Sequence, residues 1–201
     1  MKRISLFTVA IMLTIASFAQ SEAKFGLKGG LNIASIDNSE GSSGYDTRLG
    51  LNIGALAHIH INPQWAIQPE LVFSSQGTKY TISNGTHQLA LNYINIPVQL
   101  QYMFDNGFRI QTGPQLGLLV NVSDKKNGTE TGFFTKDDFK STDISWSFGL
   151  GYLTYSGLGF DARYNLGLSN INDAGAANLK NNVVQLGLFY LFDHTHKAHS
   201  R

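Results

Sequence analysis

The sequence predicts an all-β fold, an eight-stranded antiparallel transmembrane up-and-down β-barrel, and three observations carry that prediction. Charged residues make up 14% of the 201-residue chain, against roughly 25% in an ordinary soluble domain, so the ionic coat of a soluble globule is missing. Mean hydropathy is nonetheless only -0.09, too low for a bundle of membrane helices. Finally, large apolar residues alternate with Gly, Asn, Gln, Ser and charge along most of the chain, the period of a strand with two unlike faces. A chain with 21 Gly, 13 Phe and 8 Tyr but average hydropathy fits a barrel that turns its apolar face to lipid.

The order begins with a leader. Lys2 and Arg3 precede an apolar stretch from Ile4 to Phe18, and Ser17-Phe18-Ala19 is a small-x-small cleavage pattern, so residues 1–19 read as a secretory signal peptide. A second candidate site is Ser21-Glu22-Ala23. Ser5, Thr8, Thr14 and Ser17 interrupt the stretch, which falls short of the ~20 residues a helical span requires. Removing Lys2 and Arg3 leaves 13 basic against 14 acidic residues, a balance that excludes a nucleic-acid partner held by basic excess. The absence of Cys excludes disulfides, thiolate catalysis, Cys-ligated zinc and a lipid anchor at cysteine.

Eight alternating segments follow, over residues 20–192. The first four carry Phe25, Leu27, Leu31 and Ile33; Leu49 to Ile59 on odd positions; Trp65, Ile67, Pro69, Leu71 and Phe73; and Ile94 to Tyr102 on even positions. The other four carry Phe108, Ile110, Leu116, Leu118 and Val120; Ile144 to Tyr152; Leu158 to Leu168; and Val184 to Phe192, each on alternate positions. Parity slips between Leu89-Leu91-Tyr93 and Ile94-Ile96, which predicts a β-bulge there. Connections alternate in length. Short turns fall at Asn62-Pro63-Gln64, Asp105-Asn106-Gly107 and Tyr155-Ser156-Gly157, and longer stretches at Asn38 to Asp46, about ten residues around Asn84-Gly85, Ser123 to Ser141, and Ser169 to about Lys180. Short turns on one rim and long loops on the other are the pattern of outer-membrane barrels, and an even strand count returns both termini to the short-turn rim. Residues 193–201 then form a polar tail in the periplasm.

The polar parity decides which face is inside. Its charges are Lys28, Arg48, Glu70, Arg109, Asp143, Asp161 and Arg163, too few for a water-exposed wall, and the same parity is rich in Gly. An eight-stranded barrel has room inside for side chains and little else, so this face belongs in the lumen, where four cations and three anions form a mutually neutralising network. Trp65, Phe104, Phe108, Tyr152, Tyr190 and Phe192 gather near the short-turn rim as an aromatic girdle.

Gly26-Leu27-Lys28-Gly29-Gly30-Leu31-Asn32, Gln68-Pro69-Glu70-Leu71, Tyr93-Ile94-Asn95-Ile96-Pro97, Gly113-Pro114-Gln115-Leu116-Gly117 and Asp161-Ala162-Arg163-Tyr164 together resemble the outer-membrane β-barrel family of Bacteroidetes, the porin family or PorT-like barrels of the small OmpX/OmpA type. The resemblance covers the mature chain to Phe192 and implies an outer-membrane location. The family commonly has an acidic residue where this chain has Asn95, and the tail after Phe192 is a second departure.

Candidate chemistry is sparse. Glu70, His58 and Ser74 share the lumen parity, but strand pairing across the Asn62 turn separates them and no nucleophile elbow accompanies them, so no enzyme is predicted. His194, His196 and His199 lack a scaffold that would make them a metal site, and no cofactor is implied. Asn84-Gly85-Thr86 and Asn127-Gly128-Thr129 read as turn chemistry. The charged stretch Asp124 to Lys140 interleaves Phe133, Phe134 and Phe139 as exposed aromatics. The expected role is structural, accessory or surface-interacting, with lipid and lipopolysaccharide around the wall, barrel-assembly machinery as a partner in biogenesis, and a monomeric state. The alternatives are a small porin-like pore and a soluble periplasmic barrel with an apolar ligand.

The final strand gives a test. Deleting residues 193–201 is expected to leave membrane insertion intact, whereas stopping the chain at Leu188 should abolish it, because a shortened eighth strand exposes a sheet edge to lipid. Heat-modifiable migration on unboiled gels reads both outcomes, and loss of insertion on tail deletion alone would misplace the strand end.

Overall fold

A computed structural model describes residues 23–38, 45–82, 85–175 and 177–192. The leader and the tail with its three histidines lie outside the described residues. The strands are β1 (Lys24–Asn38), β2 (Tyr45–His60), β3 (Trp65–Ile82), β4 (Gly85–Met103), β5 (Phe108–Lys126), β6 (Thr129–Glu130), β7 (Thr142–Leu153), β8 (Leu158–Gly167) and β9 (Leu179–Leu191). All pairings are antiparallel, and β9 returns to β1 from Gly26↔Leu191 to Asn38↔Leu179, so eight long strands close a ring. The two-residue β6 folds back on the end of β5. A soluble lipocalin-like barrel would put its apolar parity inside. Here Leu49 and Ile53 are 69% and 67% exposed, while Asn32, Ser74 and Gln99 are fully buried.

Side-chain chemistry fixes the short turns. The Asn62 carboxamide oxygen accepts the backbone N–H groups of Gln64 and Trp65 at 2.9 and 2.8 Å. Asn127 and Gly128 both adopt positive φ, 52° and 86°, the conformation that a two-residue Asn-Gly hairpin requires.

Three expectations are corrected. The inferred β4 bulge is in β5 instead: Asn92 pairs with Asn121 but Tyr93 with Leu119, so Val120 is the extra residue. β4 keeps one phase, and Leu89, Leu91 and Tyr93 point into the lumen, where they pack with Ile36, Tyr80, Leu119, Phe139 and Ile171. The apparent slip came from lumen residues that are apolar. Second, the ten-residue loop around Asn84-Gly85 is instead strand, with β3 and β4 paired to Ile82↔Gly85. Above the lipid band neither face must be apolar, so the period disappears although the ladder continues. Third, Asp124 belongs to β5 and is buried, Phe139 is buried, and Phe134 packs edge-on against Tyr80 with ring centroids 5.6 Å apart; of the three phenylalanines only Phe133 is exposed.

The wall is uneven. β3, β4 and β5 have 18, 19 and 19 residues against 12 and 10 in β7 and β8. At ~3.3 Å per residue the β3–β5 side continues roughly 20 Å further along the strand direction, all of it on the long-loop side.

Leu56, Leu153, Phe189 and Leu191 form a second apolar cluster, near the short-turn end of the lumen. Gly159 pairs with Phe189, and a Cβ there would lie 2.1 Å from the ring. Gly159→Val should therefore dislodge the ring and cost about 1–3 kcal/mol, the usual range for overpacking. Urea unfolding in detergent micelles would show it as a lower midpoint; an unchanged midpoint would mean that the ring relocates freely.

Candidate functional site

The lumen is where the sequence concentrates its polar chemistry. Lys28 on β1, Glu70 on β3, and Asp161 and Arg163 on β8 are all buried there. Arg163 makes a two-pronged contact with Glu70 at 2.7 and 2.9 Å and also reaches Asp161 at 2.9 Å. Lys28 Nζ donates to Glu70 at 3.1 Å and to Asp161 at 3.3 Å. Each carboxylate thus meets two cations, and the quartet is neutral. Gln68 adds a donor to Glu70 at 2.7 Å. Around the ring β3 and β8 are separated by β2, β1 and β9, so they stand opposite one another and the Arg163–Glu70 pair bridges the bore.

The remaining predicted charges lie elsewhere. Arg109 donates to Gln101 at 3.3 Å and stands 5.7 Å from the centre of the Phe189 ring. Asp143 accepts from Ser169 at 2.9 Å and Asn181 at 3.3 Å. Arg48 is not a lumen charge in contact with the others: its guanidinium donates to Ser75 Oγ and the Gln76 carbonyl at 3.1 and 2.9 Å, and it lines a pocket with outward-facing residues of β4 and β5. The β2–β3 ladder shifts register between Thr47 and Asn52, and in that irregular stretch parity ceases to predict direction.

His58, Glu70 and Ser74 do not meet. Gln68 stands between the first two, 3.2 Å from His58 Nδ1, and Ser74 Oγ accepts from Asn32 and Gln76. On the outer wall, Trp65, Phe104, Tyr152, Tyr190 and Phe192 are exposed and Phe108 is half-buried, all close to the short turns. Tyr102 joins them, with ring centroids 5.1 Å from Trp65 and 5.0 Å from Phe104.

Sequence reasoning missed one cluster. Asp124 is buried at the long-loop end and accepts from Tyr80 at 2.9 Å, lies 3.3 Å from His87 Nδ1, and is bonded by the Thr131 hydroxyl. His87 stacks on Tyr80 at 5.1 Å. Beyond the Val120 bulge the inward positions become even-numbered, which selects Asp124, but Leu116, Leu118, Val120 and Val122 are all apolar and even-numbered, so the sequence carries no mark of that change of phase.

A closed ring of antiparallel strands with an apolar exterior and a polar, ion-paired interior is the arrangement of an integral outer-membrane barrel. The model described as "Outer membrane protein beta-barrel domain" matches residues 18–173, and the chain belongs to that family; its place is the outer membrane. Among solved structures, Neisserial surface protein A superposes with a TM-score of 0.58 at 16% identity, over 84% of this chain and 97% of that one. Ail, the attachment invasion locus protein of Yersinia pestis, in complex with the heparin analogue sucrose octasulfate, superposes with 0.51 at 14% identity, over 85% and 99%. No curated protein matches the sequence. The soluble ligand-carrier alternative is set aside, because the apolar face is the exterior one.

Replacing Glu70 with Gln would leave Lys28 and Arg163 against Asp161 alone. Breaking a buried pair in this way costs on the order of 3–5 kcal/mol, so the variant should unfold at clearly lower urea or temperature than wild type. An unchanged transition would mean that Glu70 does not hold the lumen charges.

Proposed function

We propose that the protein is a monomeric structural or surface-interaction barrel with a plugged lumen, and neither an enzyme nor an open pore. The observation that supports this most is the Arg163–Glu70 contact across the bore, flanked by hydrogen-bonded amides. Gln101 donates to Gln111 at 2.9 Å on one side, and Asn52 and Gln185 donate to Asn32 at 2.8 and 3.1 Å on the other. A passing ion would have to separate these charges in a narrow, poorly solvated interior. The placing of Gln68 between His58 and Glu70, and the engagement of Ser74 by Asn32 and Gln76, support the non-enzymatic reading.

In this reading residues 1–19 are removed on export, barrel-assembly machinery inserts the chain, Trp65, Phe108, Tyr152 and the other rim aromatics seat it at the periplasmic interface, and the long-loop rim meets lipopolysaccharide. The strand motifs support a place among the PorT-like barrels of Bacteroidetes. One observation favours the pore as a second reading: the amides of Gln99 and Asn165 are buried with no hydrogen-bond partner, and such groups are typical ligands of internal water.

Conductance separates the two. The refolded full chain in planar bilayers should show at most small, rare openings. Stable large steps would replace the plugged-barrel reading with the pore.

A further inference from the structure

The register break between β2 and β3 does more than remove Arg48 from the lumen network. Pairing stops at Thr47↔Thr78 and resumes at Asn52↔Ser74, and the Arg48 guanidinium is held beside this gap by Ser75 and the Gln76 carbonyl. Its Nε is buried without a hydrogen-bond partner. Among the described residues no carboxylate lies within ion-pair distance of it.

Arg48 borders a polar pocket of about 320 Å³. The opposite wall consists of side chains on the outer face of β4 and β5, paired across the ladder as Asn92↔Asn121, Ala90↔Ser123 and Gln88↔Lys125. Their chain neighbours Leu89 and Leu91 point inward. Ala90 leaves room where a longer side chain would fill the centre. Among the described residues Glu130 is the acidic group lining the pocket, and it is engaged by Ser123 at 2.6 Å and Lys125 at 3.4 Å. The pocket thus offers a guanidinium, an ammonium shared with Glu130 and several amides around a concave floor, a donor set suited to a phosphate oxyanion.

Its height identifies the source of that phosphate. Ser75 and Asn92 stand one outward row above Phe73 and Ile94, which pair with each other, and Ile94 pairs with Leu118 in the same apolar row. Two residues of strand rise about 7 Å. The lower edge of the pocket, beside Ser75 and Asn92, therefore lies just above the apolar band where lipid headgroups begin, and its upper edge at Gln88 and Lys125 stands about 13 Å further along the strands.

We propose that this pocket binds the phosphate headgroup of a membrane lipid in the leaflet on the long-loop side, with Arg48 as the principal ligand and Lys125 as the second. The inference rests on the membrane-embedded reading of the barrel. It is tested on the full chain refolded in dodecyl maltoside, by calorimetric titration with dihexanoyl phosphatidic acid, with dihexanoylglycerol and with inorganic phosphate. The phosphatidic acid should bind and the phosphate-free lipid should not. Arg48→Gln should weaken binding roughly tenfold, as loss of a charge-assisted donor pair does. Ala90→Leu, which fills the floor and keeps both cations, should weaken it too.

Heat-modifiable migration establishes that each variant is folded; should Arg48→Gln misfold, Ala90→Leu and Lys125→Gln carry the test. Undiminished binding by folded variants, or no binding by folded wild type, overturns the site. Inorganic phosphate binding as tightly as the lipid overturns the assignment to lipid. Failure of wild type to enter lipid bilayers at all would instead refute the membrane reading, and is scored separately by co-flotation with vesicles.

Discussion

Lipid offers nothing to a peptide N–H or C=O, and every other property of this molecule follows from that. A strand can cross hydrocarbon only if both of its edges are paired, so the β1–β9 ladder is the contact that makes the other seven tolerable. It is also the one with the longest sequence separation, joining Gly26 to Leu191. The ring cannot be sealed until the last strand exists.

Closure with so few strands leaves an interior the width of a few side chains, and that interior must satisfy itself. Many of its polar residues pair with one another, although the amides of Gln99 and Asn165 do not. Leu56, Leu153, Phe189 and Leu191 pack together towards one end, and Tyr93 with its apolar neighbours towards the other. Between them the ionic quartet joins β1, β3 and β8, strands that share no backbone ladder with one another. A dry ion pair adds little net stability over a well-packed apolar core, but a broken one is costly. A register slip on any of its three strands would leave a charge without its partner.

Legibility followed the lipid band. Where a wall faces hydrocarbon on one side and a crowded lumen on the other, alternation is enforced at every residue, and the sets from Phe25 to Phe192 could be read directly. Lys28, Glu70, Asp161 and Arg163 stood out because charge is rare there. Which of the seven charges would meet was not readable, since contacts across the bore depend on ring order and stagger. Outside the band the constraint lapses. The upper halves of β3 and β4 lie beyond the apolar band on one side and against a mixed apolar and polar interior on the other, so their strand character was invisible, and the single inserted residue Val120 concealed Asp124 as an inward position. Arg48 was misplaced for the same kind of reason, because one irregular stretch of ladder reassigns a side chain without leaving a mark in composition.

The uneven wall gives the molecule a front and a back. A barrel of uniform strand length would look the same to any neighbour as it spins about its axis, but this one carries a tall screen of strand over β3 to β5, while above β7 and β8 the chain continues as loops that pack Phe139 and Ile171 against Tyr80. Something arriving from above the membrane meets the screen first, and a protein drifting in the plane of the bilayer meets a different profile according to its compass bearing. Crowding would then sort neighbours by azimuth, so that lateral arrangement in the membrane acquires a direction from nothing more than unequal strand lengths.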